Sequence, residues 1–403
     1  MSQGTAQQFW YLPMKVVHHG RGALEQLSSE LARTGLEKAF VITSRSVLER
    51  TDVIDRIRGN LGDALAGVFS GVLPHVPYGC LQDGLDQLRA AGPVLLVSVG
   101  GGSTVDAARA LALAVGEGIT DARDLQALRA RFDPPGPPVM PATSGRALPI
   151  AAVPLTLSAA EFANAGAVTS ETRHVKDLLI ADELTPRAVL LDPEAAVQTP
   201  VELWVATGIR ALDHAIETVY SPRRGPVTDA LSLAAVRRLA PSLRAAWRDP
   251  ADVTAREEGQ IGAWMSYFGE MNLTLGLSHA IGHQLGAQFG IQHGSTSCVV
   301  LPHVMRYLAP VVTERLALVA EALGKDTSGS SPEAAAEAAA CAVEELVAEF
   351  GLPRTLPEVG VHEEHFPALA QAVLSDLVVA GSPRPVTEPE QVTTILAAAS
   401  SLG

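Results

Sequence analysis

The chain has 403 residues, more than one hydrophobic core usually holds, so two domains are expected. Hydrophobic residues make up 47% and aromatics only 4%, with Ala, Leu and Val abundant, which favours helix and parallel-sheet packing over a β-sandwich. A formal net charge of -14 without a long basic run opposes phosphate backbones and anionic lipid, so nucleic acid and membrane surfaces are excluded as partners and an anionic substrate needs a local basic pocket.

The N-terminal "MSQGTAQQFWYLPMKVV" has no basic stretch leading into an apolar core, and no segment approaches the length of a membrane span, so a soluble, cytoplasmic protein is expected. From Leu36 to about Gly102 strand-like and helix-like runs alternate: "KAFVITS" (strand), "SVLERTDVIDRIRGNL" (helix), "ALAGVFS" (strand), "GCLQDGLDQLRAA" (helix) and "PVLLVSVGGG" (strand). That order implies a parallel sheet with helical crossovers. Cys80, Cys298 and Cys341 are odd in number, far apart and without CxxC spacing, which suggests neither disulfides nor a thiolate zinc site; Cys298, near a His cluster, is a candidate pocket wall.

"VSVGGGSTVDAARALAL" places Gly100, Gly101, Gly102 and Ser103 between an apolar strand and a helix, with Asp106 in the helix's first turn. Glycines there let backbone amides approach a pyrophosphate at the positive end of the helix dipole. The plainer reading is a strand-to-helix turn capped by Ser103, against which the three consecutive glycines weigh. "RFDPPGPPVMPATSGRALP" is too rich in Pro and Gly for a regular element and reads as a surface loop before the strand "IAAVPLT". After "RAVLLDPEAAVQTP" strand signals nearly vanish and Ala- and Leu-rich helices run to the end, so a boundary is expected near Asp192.

In "GIRALDHAIE" a helix would put Arg210 and His214 on one face, with Glu217 a turn further on. An Asp at 210 would complete a carboxylate and imidazole pair for a divalent ion; an Arg cannot ligate one. Taken alone, this stretch reads more readily as a solvated polar face. "GLSHAIGHQLGAQFGIQHGSTSC" places His279 and His283 four apart on one helix face, and His293 after a break that folds it back toward them. Three imidazoles in fifteen residues, in a chain with eleven His, point to a site, not to separately satisfied core histidines; His303 in "LPHVMRY" reads as structural.

Together these residues resemble the iron-containing, or group III, alcohol dehydrogenase superfamily across nearly the whole chain: "GRGAL" at 20–24, "GGGSTVD" at 100–106, "VPLTLSAAE" at 153–161, Lys176, "LLDPE" at 190–194, "GIRALDHAIE" and "HAIGHQLGAQFGIQHG" at 279–294. The resemblance implies an α/β fold of the dehydroquinate synthase-like, group III type. It has a Rossmann-like parallel-sheet dinucleotide-binding domain (1–191), an all-helical catalytic domain (192–403), and a cleft where a hydride passes between nicotinamide and a carbonyl or alcohol. Cofactor contacts would fall on Ser44, Gly100, Gly101, Gly102, Ser103, Asp106, Thr156, Ser158 and Lys176, with His283 beside the nicotinamide. Ser44 and Arg45 stand where NAD-selective relatives keep an acidic residue, so both NADPH and NADH are expected.

In metal-dependent members an Asp and three His hold the ion; carried over, those positions are Arg210, His214, His279 and His293. Arg at 210 resembles the maleylacetate reductase branch, understood to work without metal, and the compact "PLTLSAAE" points the same way, although Leu155, Ser158, Ala159 and Ala160 depart from both patterns. The expectation is an NAD(P)H-dependent, metal-free reductase of maleylacetate or a related oxo acid, a homodimer, with Arg210, His214, His279, His283 and His293 catalytic. Reducing a ketone builds negative charge on oxygen, so a permanent guanidinium and an imidazole proton donor suit it. Three alternatives stay open: an iron or zinc alcohol dehydrogenase in which Asp213 or Glu217 replaces the lost ligand, a dehydroquinate synthase-type lyase, and an inactive binding protein, against which the four retained His argue.

Overall fold

The computed structural model describes residues 8–131, 139–173, 175–273 and 275–401. Residues 1–7 of the N-terminal stretch, and 132–138 of the expected surface loop, lie outside them; the loop's described remainder has no regular element beyond one bridge between Arg131 and Val139. The chain forms two units, one spanning Tyr11–Thr199 and the other running from Pro200 onward together with the described residues before Tyr11.

The first unit holds strands β1 (Val16–His19), β2 (Ala39–Ile42), β3 (Leu65–Phe69), β4 (Leu95–Gly100), β5 (Ile150–Pro154), β6 (Ala165–Ser170), β7 (Val175–Ile180) and β8 (Ala188–Leu191). Six of them make one sheet, every pair parallel, in the order β1-β8-β5-β4-β2-β3. Helices α1 (Leu27–Thr34), α2 (Arg45–Arg50), α3 (Val53–Leu61), α4 (Gln82–Ala91) and α5 (Gly102–Gly116) lie between them, and α6 (Pro193–Ala196) follows β8. Alternate strand residues serve opposite faces: Phe40, Ile42 and Leu96 join the cluster with Leu111, whereas Ala39, Val41, Leu95 and Val97 join the cluster with Leu24 and Ile54. Both faces are therefore covered, which is why the central strands read as continuous apolar runs.

Two local expectations differ from the structure. The helix expected over 46–61 is two, α2 and α3, because Thr51 is extended (φ -134) and Asp52 is tied to Gln198 through both its amide and its carboxylate. A two-stranded antiparallel hairpin of β6 and β7 occupies a stretch without strong strand signals.

The second unit is helical: α7 (Val201–Tyr220), α8 (Pro226–Arg248), α9 (Val253–Asn272), α10 (Leu277–Phe289), α11 (His293–Ala322), α12 (Pro332–Glu349), α13 (Phe366–Leu374) and α14 (Pro389–Ala398). A parallel-sheet α/β unit followed by helices is the expected fold class. Helix α7 is buried almost all round from Trp204 on and packs against α8, α9 and α11, so its polar residues face protein, not water. Two glycines permit the close approach. A Cβ at Gly208 would stand 2.3 Å from a Leu243 methyl, and one at Gly294 would stand 2.6 Å from the Ala206 carbonyl oxygen. Helix α10 ends at Gly290 in the left-handed region (φ 67), and the turn sends the chain into α11, which starts at His293. Among the described residues no helix is long and apolar enough to cross a membrane.

Candidate active site

In the α/β unit the glycine turn leaves the end of β4. Gly100 has φ 139, and a Cβ there would meet a Thr104 methyl at 2.8 Å, so only glycine fits. A Cβ on Gly101 would lie 3.1 Å from Thr156 Oγ1, and one on Gly102 3.5 Å from Ser158 Oγ, which brings the two sequence segments to one spot. Gly101, not Ser103, is the N-cap of α5, and no side chain caps it. Ser103 instead accepts the His75 amide at 3.3 Å, and Asp106 sits one turn deeper than expected because the helix already begins at Gly102. Uncapped amides, a cradle that side chains would fill and the buried Thr156 hydroxyl, which has no hydrogen-bond partner among the described residues, fit a pyrophosphate.

Of the other expected contacts, Asp106 lies 3.6 Å from Arg109, and burial raises its carboxyl to about 6 although Arg109 and Lys176 oppose the rise. Arg109 also donates to the Ala160 and Ala163 carbonyls, fixing the turn that follows Ser158. Ser44 sits just past β2 and caps α2, accepting the Val47 amide, and Arg45 is exposed beside Glu49.

In the helical unit four imidazoles form a row. His214 stacks on His279 with centroids 4.9 Å apart, His279 meets His283 edge-on at 6.4 Å, and His283 meets His293 at 6.1 Å. Arg210 enters the same cluster: a Cβ on Gly282, next to His283 on α10, would lie 3.6 Å from its Nη1. The side chain is only 9% exposed; Nη1 donates to Ser297 Oγ at 3.2 Å and stands 3.7 Å from Asp213 Oδ2, while Nε and Nη2 have no hydrogen-bond partner among the described residues.

Two buried carboxylates organise this row, and the sequence named them only as substitute ligands. Asp213 Oδ2 accepts the hydroxyls of Ser278 (2.8 Å) and Ser297 (2.7 Å). Glu217 accepts the amides of Gly276 (2.6 Å) and Ser278 (2.8 Å), and its Oε2 lies 2.8 Å from His279 Nδ1. Loss of water and the neighbouring Glu217 push the Asp213 carboxyl up to about 7, against the pull of Arg210. Burial, then the Arg210 charge and His283, hold His279 well below its ordinary value; burial, His279 and Arg210 do the same to His214. Both rings are thereby neutral, and His279, whose Nδ1 faces Glu217, keeps Nε2 buried with no hydrogen-bond partner among the described residues. Cys298 is buried in a cavity wall with His303 and Glu344, and burial, then the neighbouring Asp213, raises its thiol. Asp376, which no local pattern marked, pairs with His283.

The four positions that hold the ion in metal-dependent relatives present three imidazoles and a guanidinium. The guanidinium has no lone pair to give and adds a fixed cation, so Arg210 cannot serve as a ligand beside the three imidazoles. Ligand atoms of Asp213, Glu217 and His279 do lie within 4.8 Å of one another, yet those of Glu217 and His279 are already committed to amides and to each other.

Residues 14–193 match the family model "Iron-containing alcohol dehydrogenase", and residues 204–400 match its companion, "Fe-containing alcohol dehydrogenase family, C-terminal". The NAD-dependent methanol dehydrogenase of Bacillus methanolicus is 32% identical over 94% of this chain and 96% of its own. Lactaldehyde reductase of Escherichia coli (strain K12) is 33% identical over 91% of this chain and 94% of its own. Maleylacetate reductase 2 of Cupriavidus pinatubonensis (strain JMP 134 / LMG 1197) is 29% identical over 80% of this chain and 79% of its own. A crystal structure of 1,3-propanediol oxidoreductase superposes with a TM-score of 0.88 at 29% identity, covering 98% of this chain and 100% of that one.

Proposed function

The chain belongs to the iron-containing alcohol dehydrogenase family, whose members are oxidoreductases of alcohols and their carbonyl partners, and on that premise we propose that it reduces a carboxylate-bearing ketone, maleylacetate or a related oxo acid, with NADH or NADPH and without a metal ion. The observation that carries this reading is the buried Arg210 guanidinium, which enters the imidazole row with Nε and Nη2 unclaimed. Such a fork suits a carboxylate, which it binds through two parallel charge-assisted hydrogen bonds.

Cofactor binding is assigned to residues 1–191 and catalysis to 192–403 of a homodimer. The amides of Gly101, Gly102 and Ser103 and the Thr156 hydroxyl would hold the pyrophosphate, with Ser44, Asp106, Ser158 and Lys176 around it. Bound there, the nicotinamide supplies the hydride that adds to the carbonyl carbon. Arg210 fixes the substrate by its carboxylate, and the neutral His214 and His279, together with His293, wall the site. As hydride adds, the carbonyl oxygen becomes an alkoxide and takes a proton. His283 is assigned as the donor: its side chain is 38% exposed, whereas His279 is fully buried with Nδ1 against Glu217.

A second reading, a metal-dependent alcohol dehydrogenase, is favoured by the identity of 31–33% to methanol, lactaldehyde and 1,3-propanediol enzymes. One experiment separates them: metal analysis of protein purified without chelator, with steady-state oxidation of NADH and NADPH against oxo acids and aldehydes, each with and without chelator. Oxo-acid reduction indifferent to chelator is the expected result. Close to one equivalent of bound metal, with activity lost to chelator, overturns it.

A further inference from the structure

We infer that Asp376 is the positioning residue of the proton donor, forming with His283 a carboxylate and imidazole dyad that fixes the ring's orientation and tautomer. The inference rests on the proposal above in taking His283 as the donor.

Asp376 arrives from far along the chain, after α13, where it opens a short 3-10 segment, Leu377–Gly381. Its carboxylate is held from two sides. Oδ1 accepts the Val378 amide at 3.1 Å, which locks the side chain to its own turn. Oδ2 accepts the Gln284 side-chain amide at 3.1 Å and lies 3.1 Å from His283 Nδ1. Burial opposes its ionisation, but the bonds from His283, Val378 and Gln284 more than offset that, and the carboxyl stays below its ordinary value.

An ionised carboxylate only accepts hydrogen bonds, so His283 must present a proton at Nδ1. The remaining nitrogen, Nε2, then points away from Asp376 and is the one that exchanges a proton with substrate. The two rings beside it, His279 and His293, meet it edge-on. Among the described residues the fixed orientation therefore comes from Asp376. In the step, the Nε2–H bond of the imidazolium breaks, the alkoxide gains that proton, and a neutral ring remains with Nδ1–H on Asp376. Water restores the proton to Nε2. The carboxylate itself stays ionised, as in other carboxylate-oriented histidines.

The test pairs kinetics with a readout on the ring. Asp376→Asn keeps the shape and removes the charge. It is expected to lower kcat roughly tenfold or more, leaving KM for carbonyl and nicotinamide within about twofold, because the residue touches neither. Nitrogen NMR of histidine-labelled protein should show the neutral His283 ring of the wild type protonated at Nδ1, and the Asn variant populating the Nε2–H form. A wild-type ring protonated at Nε2 overturns the inference without any variant, and so does an Asp376→Asn protein whose kcat and tautomer both match the wild type. Should the enzyme reduce aldehydes and not oxo acids, the kinetic arm is run on the aldehyde; the oxo-acid reading then falls and the dyad is still judged.

Discussion

Replacing Arg210 by Ala is the sharpest test of its place in the site. At 3.7 Å from Asp213 Oδ2, two full charges in a partly screened interior attract by about 4.5 kcal/mol at an effective dielectric of about 20. The realised share is smaller, because burial holds the Asp213 carboxyl near 7 and it is only partly ionised at neutral pH. Most of the guanidinium's charge is thus left for a ligand. Truncating one partner of a buried, hydrogen-bonded charge pair costs about 2–5 kcal/mol. We therefore expect kcat/KM for the oxo acid to fall by about 10²- to 10³-fold, which is about 3–4 kcal/mol, while an uncharged aldehyde of similar length changes by less than about tenfold. Arg210→Lys should fall between, since an ammonium keeps the charge and loses the fork. The assay is steady-state oxidation of NADH and NADPH with both substrates, alongside thermal unfolding, because Asp213 also loses its cation. Equal losses on oxo acid and aldehyde would refute the carboxylate role and leave Arg210 a structural cation.

Three further outcomes are expected. Gly101→Ala puts a methyl 3.1 Å from Thr156 Oγ1 at the phosphate turn, so KM for NADH and NADPH should rise by about tenfold or more with thermal stability little changed; unchanged KM values would remove the turn from cofactor binding. Gly294→Ala pushes a methyl against the Ala206 carbonyl at 2.6 Å and should cost about 1–3 kcal/mol of stability in urea unfolding while lowering kcat through His293; a variant as stable and active as the wild type contradicts the packing. Glu161 is buried, and loss of water raises its carboxyl from 4.5 to about 7, so its folded state holds a proton that the unfolded chain releases. Its contribution to stability is present below about pH 4.5 and lost as pH rises through about 7. Glu161→Gln should then gain up to about 3 kcal/mol on the wild type between pH 5 and pH 8 by urea unfolding, and an equal difference at both pH values would count against it.

Local pattern carried the sheet and the long helices because both leave periodic traces: β4 is apolar but for the buried Ser98, and Gly100 marks a turn where a Cβ would clash. The hairpin of β6 and β7 left a weaker trace, since six-residue strands with one half-buried face carry little apolar contrast. The same limit applied to the site. Arg210 and the imidazoles stood out by spacing, whereas Ser278, Ser297 and Asp376 are ordinary residues made functional by partners 65, 84 and 93 positions away. Glu217 was visible one turn beyond His214, but its bonds to the amides of Gly276 and Ser278, which turn it from a ligand candidate into a holder of His279, exist only once α10 lies along α7.

On the proposed reading, an Arg at 210 in place of an acidic ligand suits the site to a substrate that brings its own negative charge. A divalent ion with one carboxylate ligand leaves a net local charge near +1, and a guanidinium beside Asp213, whose carboxyl burial raises to about 7 and so leaves only partly ionised, also keeps a net positive charge. The two arrangements differ in how that charge is focused. An ion is a compact Lewis acid that binds a neutral alcohol or carbonyl oxygen directly, whereas a guanidinium spreads one charge over a planar fork and gains most from an anionic, two-oxygen partner. Neutral imidazoles at 214 and 279 complete the logic: held unprotonated by burial and by the Arg210 charge itself, they add no second cation and leave the fork as the one strong point of attachment in the row.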